Sequence, residues 1–188
     1  MSTIVKVMGL PRSGTNAVNV LVNLNFDHYV CDMQYHWVDF LGWKHALPVD
    51  IKAINLIEKR IQSEVKFIFC FRNFGEWEEA IHQRYSGQGS GEFTTYSFGE
   101  DGFLFNTPVG AELYDSMYDF YIKRIEAYQK FCDNNPGKAM MVNYRDIYDQ
   151  KELLTRIENS LSLNKSFDDY TYLKKKISFE NKITHQKS

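Results

Sequence analysis

Hydrophobic and polar positions along the chain follow two periods. Ile4 to Leu10 make an apolar run without a polar face, the pattern of a strand covered on both sides of a parallel sheet. From Ser13 to Asn25 the period becomes helical: Ala17, Val18, Leu21, Val22 and Leu24 recur on one side, and Asn16, Asn19 and Asn23 fall on another. Asp50 to Gln62 reads as an amphipathic helix with Ile51, Ile54, Leu56, Ile57 and Ile61 on its apolar side. A second apolar strand, Val65 to Phe71, runs into Arg72-Asn73-Phe74-Gly75-Glu76-Trp77 and a further helix. Ser86 to Pro108 has no period and carries Phe93, Tyr96, Phe98, Phe103 and Phe105, so it is expected to be a partly ordered flap at 87–108 or a loop packed onto the body by its aromatics. The longest helix is expected from Gly110 to about Asn134, with Leu113, Met117, Tyr118, Tyr121, Ile125, Tyr128 and Cys132 as its core stripe. Asn134-Asn135-Pro136-Gly137 ends it, and a third strand, Ala139 to Asn143, leads through Tyr144-Arg145-Asp146-Ile147 to a helix over Lys151 to Leu161. Strands alternating with helices predict an α/β protein: a single domain over 1–188 with a mainly parallel central sheet flanked by helices.

Composition narrows the class. The chain has 188 residues, 44% hydrophobic and 24% charged, which is enough for one ordinary core. A formal net charge of −2 advertises neither nucleic acid nor an anionic membrane as partner. No run of about 18 apolar residues occurs, so membrane insertion is not expected. Cys31, Cys70 and Cys132 are odd in number and widely spaced, which favours free thiols in a reducing, cytoplasmic setting. His28, His36 and His45 lie eight and nine residues apart and match no local zinc pattern, so no metal is expected.

The chemistry concentrates in Gly9-Leu10-Pro11-Arg12-Ser13-Gly14-Thr15-Asn16, where the first strand breaks into the first helix. A helix N-terminus has unpaired N–H groups and the positive end of the dipole, and Gly9 and Gly14 let a backbone approach an anion closely. The spacing Gly9-x-x-x-x-Gly14 fits a nucleotide P-loop, but Thr15 and Asn16 stand where that motif has Lys and then Ser or Thr. The cation lies inside the loop instead, at Arg12. Arg72 ends the second strand on the side where open α/β sheets bind ligands; a structural ion pair with Glu76 or Glu79 is its alternative.

Pro11-Arg12-Ser13-Gly14-Thr15 resembles the 5′-phosphosulfate loop of the sulfotransferases, which take a sulfuryl group from 3′-phosphoadenosine 5′-phosphosulfate (PAPS). The strand ending in Arg72-Asn73 resembles the family's 3′-phosphate element, with Phe74 in place of the usual Pro and Ala80 where the family has a Ser. Trp43-Lys44-His45-Ala46-Leu47-Pro48 is similar to the family's Lys-Thr-His-Leu-Pro segment, in which the Lys steadies the transferred group and the His takes the acceptor's proton. Lys44 keeps its distance from Pro48, but His45 lies one place earlier, and on an extended segment neighbouring side chains face opposite ways. Either the strand is broken at His45 or the base lies elsewhere, with His36 next in line. Tyr144-Arg145-Asp146-Ile147 resembles the family's Tyr-Glu-Asp-Leu element in placement. The basic segment 164–188, with Lys174-Lys175-Lys176, reads as a solvated tail or, by resemblance to the family's basic C-terminal segment, as cover for the 3′-phosphate, although the family's Arg-Lys-Gly triplet is absent.

The resemblance implies a P-loop-like sulfotransferase fold and a PAPS-dependent enzyme that releases 3′-phosphoadenosine 5′-phosphate (PAP). Arg12, Lys44 and His45 are its expected catalytic residues, and Arg12, Ser13, Gly14, Thr15, Asn16 and Arg72 its expected donor contacts. The acceptor, a hydroxyl on a small molecule, saccharide or lipid, is left open. Two other classes compete: a P-loop kinase or NTPase, which wants a loop lysine and a magnesium hydroxyl that the sequence lacks, and a module that binds an adenine nucleotide without turnover.

Overall fold

The apolar run at the start of the chain forms β1 (Ser2–Gly9), which turns into α1 (Thr15–Asn25). There follow three two-residue strands, β2 (Tyr29–Val30), β3 (Val38–Asp39) and β4 (Gly42–Trp43), then α2 (Ile51–Ile61), β5 (Ser63–Phe71) and α3 (Phe74–Tyr85). The rest comprises β6 (Tyr96–Gly99), β7 (Gly102–Thr107), β8 (Gly110–Tyr114), α4 (Met117–Asn134), β9 (Ala139–Asn143), a 3-10 turn at Tyr144–Tyr148 and α5 (Gln150–Leu161). The computed structural model describes residues 2–30, 38–39, 41–85, 96–99, 102–107 and 110–174.

The central sheet has the order β2-β1-β5-β9 and all its pairs are parallel. Both faces are apolar apart from the buried Lys6 of β1 and Lys66 of β5. Ile4, Met8, Val65, Phe67 and Phe69 point to one core, closed by Ile54 of α2, Trp77 and Ile81 of α3, and Phe120, Tyr121 and Tyr128 of α4. Val5, Val7, Ile68, Cys70 and Val142 point to the other, closed by Val18, Leu21 and Val22 of α1 and Leu153, Leu154, Ile157 and Leu161 of α5. The expected α/β architecture is present: one parallel sheet between helices.

The two helices that leave β1 and β5 go to opposite faces, α1 to one core and α3 to the other. In open α/β sheets the carboxyl ends of two such strands mark the switch point at which ligands bind. The register sets what lines it. Gly9 is paired with Cys70 and Phe71 with Asn143, so the Leu10–Gly14 loop, Arg72 and Tyr144 leave the sheet at one edge.

Three sequence expectations change. The expected helix from Gly110 begins only at Met117: Gly110–Tyr114 is β8, paired antiparallel with β7, and Ser116 caps the helix by accepting from the Asp119 N–H. Leu113 and Tyr118 are therefore exposed rather than core, and Phe120 and Arg124 take the buried places. Within the expected flap, Tyr96–Gly99 and Gly102–Thr107 are strands, and Phe103 and Phe105 are buried against Phe120. Packing onto the body, the second of the two alternatives, holds for these two aromatics; 86–95, 100–101 and 108–109 lie outside the described residues. On α2 only Ile54 is fully buried, and Leu56 faces solvent at 68% exposure.

The chain beyond α5 lies across α1 and α5. The Asn25 side chain exchanges hydrogen bonds with the backbone of Thr171, and Gln150 does the same with Leu173. Lys174 follows these two clips at the start of α5; Lys175 and Lys176 lie outside the described residues. Cys70 is buried and Cys132 half-buried, both as free thiols, and Cys31 is outside the described residues.

Candidate functional site

The loop after β1 is built by close backbone contact. Gly9 has φ 150°, and a Cβ there would lie 2.1 Å from the Cys70 carbonyl oxygen, so only glycine lets β1 leave the sheet at this point. Arg12 takes the left-handed conformation at φ 63°, and its side chain is exposed. Gly14 is the N-cap of α1 at φ 88°, and no side chain caps the helix. The first intrahelical bond runs from Val18 N–H to Gly14 C=O at 3.0 Å. The N–H groups of Thr15, Asn16 and Ala17 precede it and form the anion-attracting end of the dipole.

Ser13 serves the loop from inside. It is fully buried, and both its N–H and its hydroxyl donate to the Leu10 carbonyl. Trp77, buried in α3, donates its indole N–H to the Pro11 carbonyl at 2.8 Å and ties the loop to the helix behind β5. Thr15 is buried as well, whereas Asn16 is exposed.

Lys44 and His45 reach this loop from the turn after β4. The Lys44 ammonium donates to Asn16 Oδ1 at 3.0 Å, on the first turn of α1. His45 Nδ1 donates to the Gly9 carbonyl at 2.7 Å. The chain at 44–46 is a turn and not an extended strand, so the strict alternation that would separate the two side chains does not apply. Of the two sequence alternatives, a strand broken at His45 is the one found; His36 lies outside the described residues. The backbone of the turn is held at three successive carbonyls: Lys44 O accepts from Gly9 N–H at 2.9 Å, His45 O from Arg124 Nη1 at 3.0 Å and Ala46 O from the Tyr128 hydroxyl at 3.2 Å.

Electrostatics follow from this packing. Burial is the main reason the His45 imidazole is pushed down to about 3, with the neighbouring Lys44 charge second, against the opposing Gly9 bond. Lys44 is lowered too, by burial first and then by Lys6. Lys6 is buried in β1, and its ammonium donates to the Gly42 carbonyl at 2.9 Å.

Arg72 follows β5 at the same end of the sheet as the loop. Its guanidinium carbon is 3.5 Å above the centre of the Tyr144 ring, and its backbone carbonyl accepts from the Tyr121 hydroxyl at 2.7 Å. The ion pair proposed as its alternative is not formed with Glu76, which instead takes Arg145 Nε at 2.7 Å, nor with Glu79, which accepts from Gln83. Arg72 Nε is buried without a hydrogen-bond partner among the described residues. Tyr144 also packs against the loop, since a Cβ on Gly14 would lie 2.8 Å from its Cδ2. One aromatic ring thus separates the helix N-terminus from the guanidinium.

No family model, no curated protein and no solved structure matches the chain. The reading of the site therefore rests on the residues themselves. The expected catalytic and donor-contact residues are described and lie at the carboxyl end of the sheet: the 12–16 loop with Lys44 and His45 against it, and Arg72 after β5. Ala80 is buried on α3 at 8% exposure and brings no hydroxyl there. His28 is used locally, with Nδ1 at the Phe26 carbonyl and Nε2 at Asn23 Oδ1. Among the described residues no three His, Cys, Asp or Glu side chains gather as a metal site, and no helix is long and apolar enough to cross a membrane.

Sequence reasoning missed Trp77, Arg124 and Tyr144 as parts of the site. One of them left a trace: Arg124 is a cation on the stripe formed by Met117, Tyr121 and Tyr128, where a polar residue is out of place unless it has partners.

Proposed function

We propose that the chain is a sulfotransferase that moves the sulfuryl group of PAPS to an acceptor hydroxyl. The observation that carries this reading is the meeting of Lys44 and His45 on the Gly9–Asn16 loop, a cation and a neutral imidazole at the mouth of a helix N-terminus. The donor's chemistry fits the groups present. The N–H groups of Thr15, Asn16 and Ala17, with Arg12 and Lys44, suit the 5′-phosphosulfate. Arg72 offers a buried, unpartnered Nε and a planar guanidinium to a second phosphate across Tyr144.

His45 donates its Nδ1–H to Gly9, which leaves Nε2 as the atom that accepts the acceptor's proton. As the acceptor oxygen bonds to sulfur, the bond from sulfur to the bridging phosphate oxygen breaks and the electron pair leaves with PAP. Arg12 and the α1 amides meet the charge growing on that phosphate, and Lys44 meets the charge on the transferred group, a matter of positioning and electrostatics. A Walker-type mechanism is disfavoured because Thr15 and Asn16 supply neither the loop lysine nor the magnesium hydroxyl.

Titration calorimetry tests the donor site: tight PAP binding without magnesium, and weak ATP binding, are expected. Magnesium-dependent ATP binding in place of PAP would sink the proposal. A second reading, nucleotide binding without turnover, is favoured by the imidazole at about 3, since so weak a base gives little help to proton removal. Labelled PAPS with a panel of phenols, saccharides and lipids separates the two, because a pure binder shows PAP affinity and no transfer.

A further inference from the structure

Arg124 lies under the turn that carries Lys44 and His45, and it is fully buried. Its guanidinium is divided between two elements. Nη1 donates to the His45 carbonyl at 3.0 Å, and Nη2 donates to Glu112 Oε2 of β8 at 2.6 Å. The cation also stands 5.2 Å from the ring centres of Phe105 and Phe120. An ammonium has donors enough for both acceptors but lacks the rigid planar fork that aims one donor at each. A buried arginine paired with a single carboxylate is a costly way to gain stability alone, because desolvation offsets much of the attraction.

The geometry at His45 gives the pair its use. Nδ1 of the ring is held by Gly9 O, while the carbonyl of the same residue is held by Arg124, so the side chain and main chain of one residue are fixed from opposite sides. Releasing the His45 carbonyl removes one of the three carbonyl anchors of the turn, the one on the residue that carries the ring. We infer that Arg124 is a positioning residue for His45: through its bonds to the His45 carbonyl and to Glu112, it fixes the imidazole in the Nδ1–H tautomer that faces Gly9 and leaves Nε2 to accept a proton. This rests on the sulfotransferase reading for its catalytic meaning, but not for the geometry it asserts.

Nitrogen-15 NMR of the His45 ring in the free protein tests it directly. The wild-type ring is expected in one neutral tautomer, protonated at Nδ1. In Arg124→Lys the same spectrum is expected to show exchange between tautomers, with kcat for sulfuryl transfer reduced at least tenfold, KM for PAPS changed less than twofold and PAP affinity unchanged. Glu112→Gln, which leaves the guanidinium in place but weakens its anchor, is expected to show the same ring signature with a loss of three- to tenfold in kcat. It carries the test by itself if Arg124→Lys does not fold. An unchanged ring tautomer in a folded variant overturns the inference, whatever its activity. Failure of PAP to bind the wild-type protein overturns the sulfotransferase reading and leaves the tautomer result standing.

Discussion

His45 and Gly9 are joined by a hydrogen bond of 2.7 Å from the imidazole Nδ1 to the glycine carbonyl, so the first residue of the Gly9–Asn16 loop also orients the candidate base. Because a carbonyl only accepts, the bond requires the proton on Nδ1. Burial of the ring, first, and the Lys44 charge, second, outweigh this bond and set the pH behaviour of the imidazole.

The imidazole should leave a mark on stability at acid pH. Its folded value, about 3, lies below the ordinary 6.5, so between these values the unfolded chain binds more protons. Its contribution to stability is complete above about pH 6.5 and is lost as pH falls towards 3, at up to about 1.4 kcal/mol per pH unit. Urea unfolding at pH 7, 6, 5 and 4 should show a steeper loss for the wild type than for His45→Asn. Parallel curves would show that the ring protonates freely in the folded protein.

Gly9→Ala should unfold or strongly destabilise the protein. The added Cβ meets the Cys70 carbonyl, which is backbone and has no rotamer to move into, at a φ of 150° that side chains rarely adopt. A loss of about 3 kcal/mol or more is expected, which for a chain of this size is a fall in Tm on the order of 10 °C. A Tm within about 2 °C of wild type would contradict the close approach of β1 and β5.

Arg12→Gly should separate stability from turnover. Glycine takes φ 63° without strain, so the variant should be as stable as wild type or more so, by up to about 1 kcal/mol. Sulfuryl transfer should fall by about 2 kcal/mol in the barrier, roughly thirtyfold, with a smaller change in KM. Loss of donor affinity with kcat preserved would mean that Arg12 acts on binding alone.

Arg72→Ala should discriminate between ligands. If the guanidinium above Tyr144 takes the distal phosphate, PAP affinity falls by about tenfold to a hundredfold, and adenosine 5′-phosphate, which lacks that phosphate, is scarcely affected. Arg72→Lys should recover only part of the loss, since an ammonium lacks the planar stack on the ring. Equal weakening of both nucleotides would make Arg72 structural.

The α/β class, the strands β1, β5 and β9, and the loop with its Arg12 were legible in the chain because each is a local pattern: an apolar run buried on both faces, a change of period and glycines at a turn. Register and tertiary contact decided the rest. Leu113 and Tyr118 share a helical period with Met117, yet pairing of Gly110–Tyr114 with β7 takes that stretch into a strand, since a sheet partner outweighs periodicity over one turn. The place of His45 is likewise not a matter of spacing. It depends on three carbonyls taken by Gly9, Arg124 and Tyr128, groups 35 to 82 residues away in the chain. Arg72 is the plainest case. Its carboxylate neighbours on α3 invite an ion pair, but the parallel register that sets Phe71 beside Asn143 brings Tyr144 under the guanidinium, and Arg145, the next residue, takes Glu76. Sequence by itself determined which groups with anion chemistry the chain carries, because residue type and local period need no partner. Only the tertiary structure decided which of them meet at the carboxyl end of the sheet, because that depends on contacts between segments far apart in the chain.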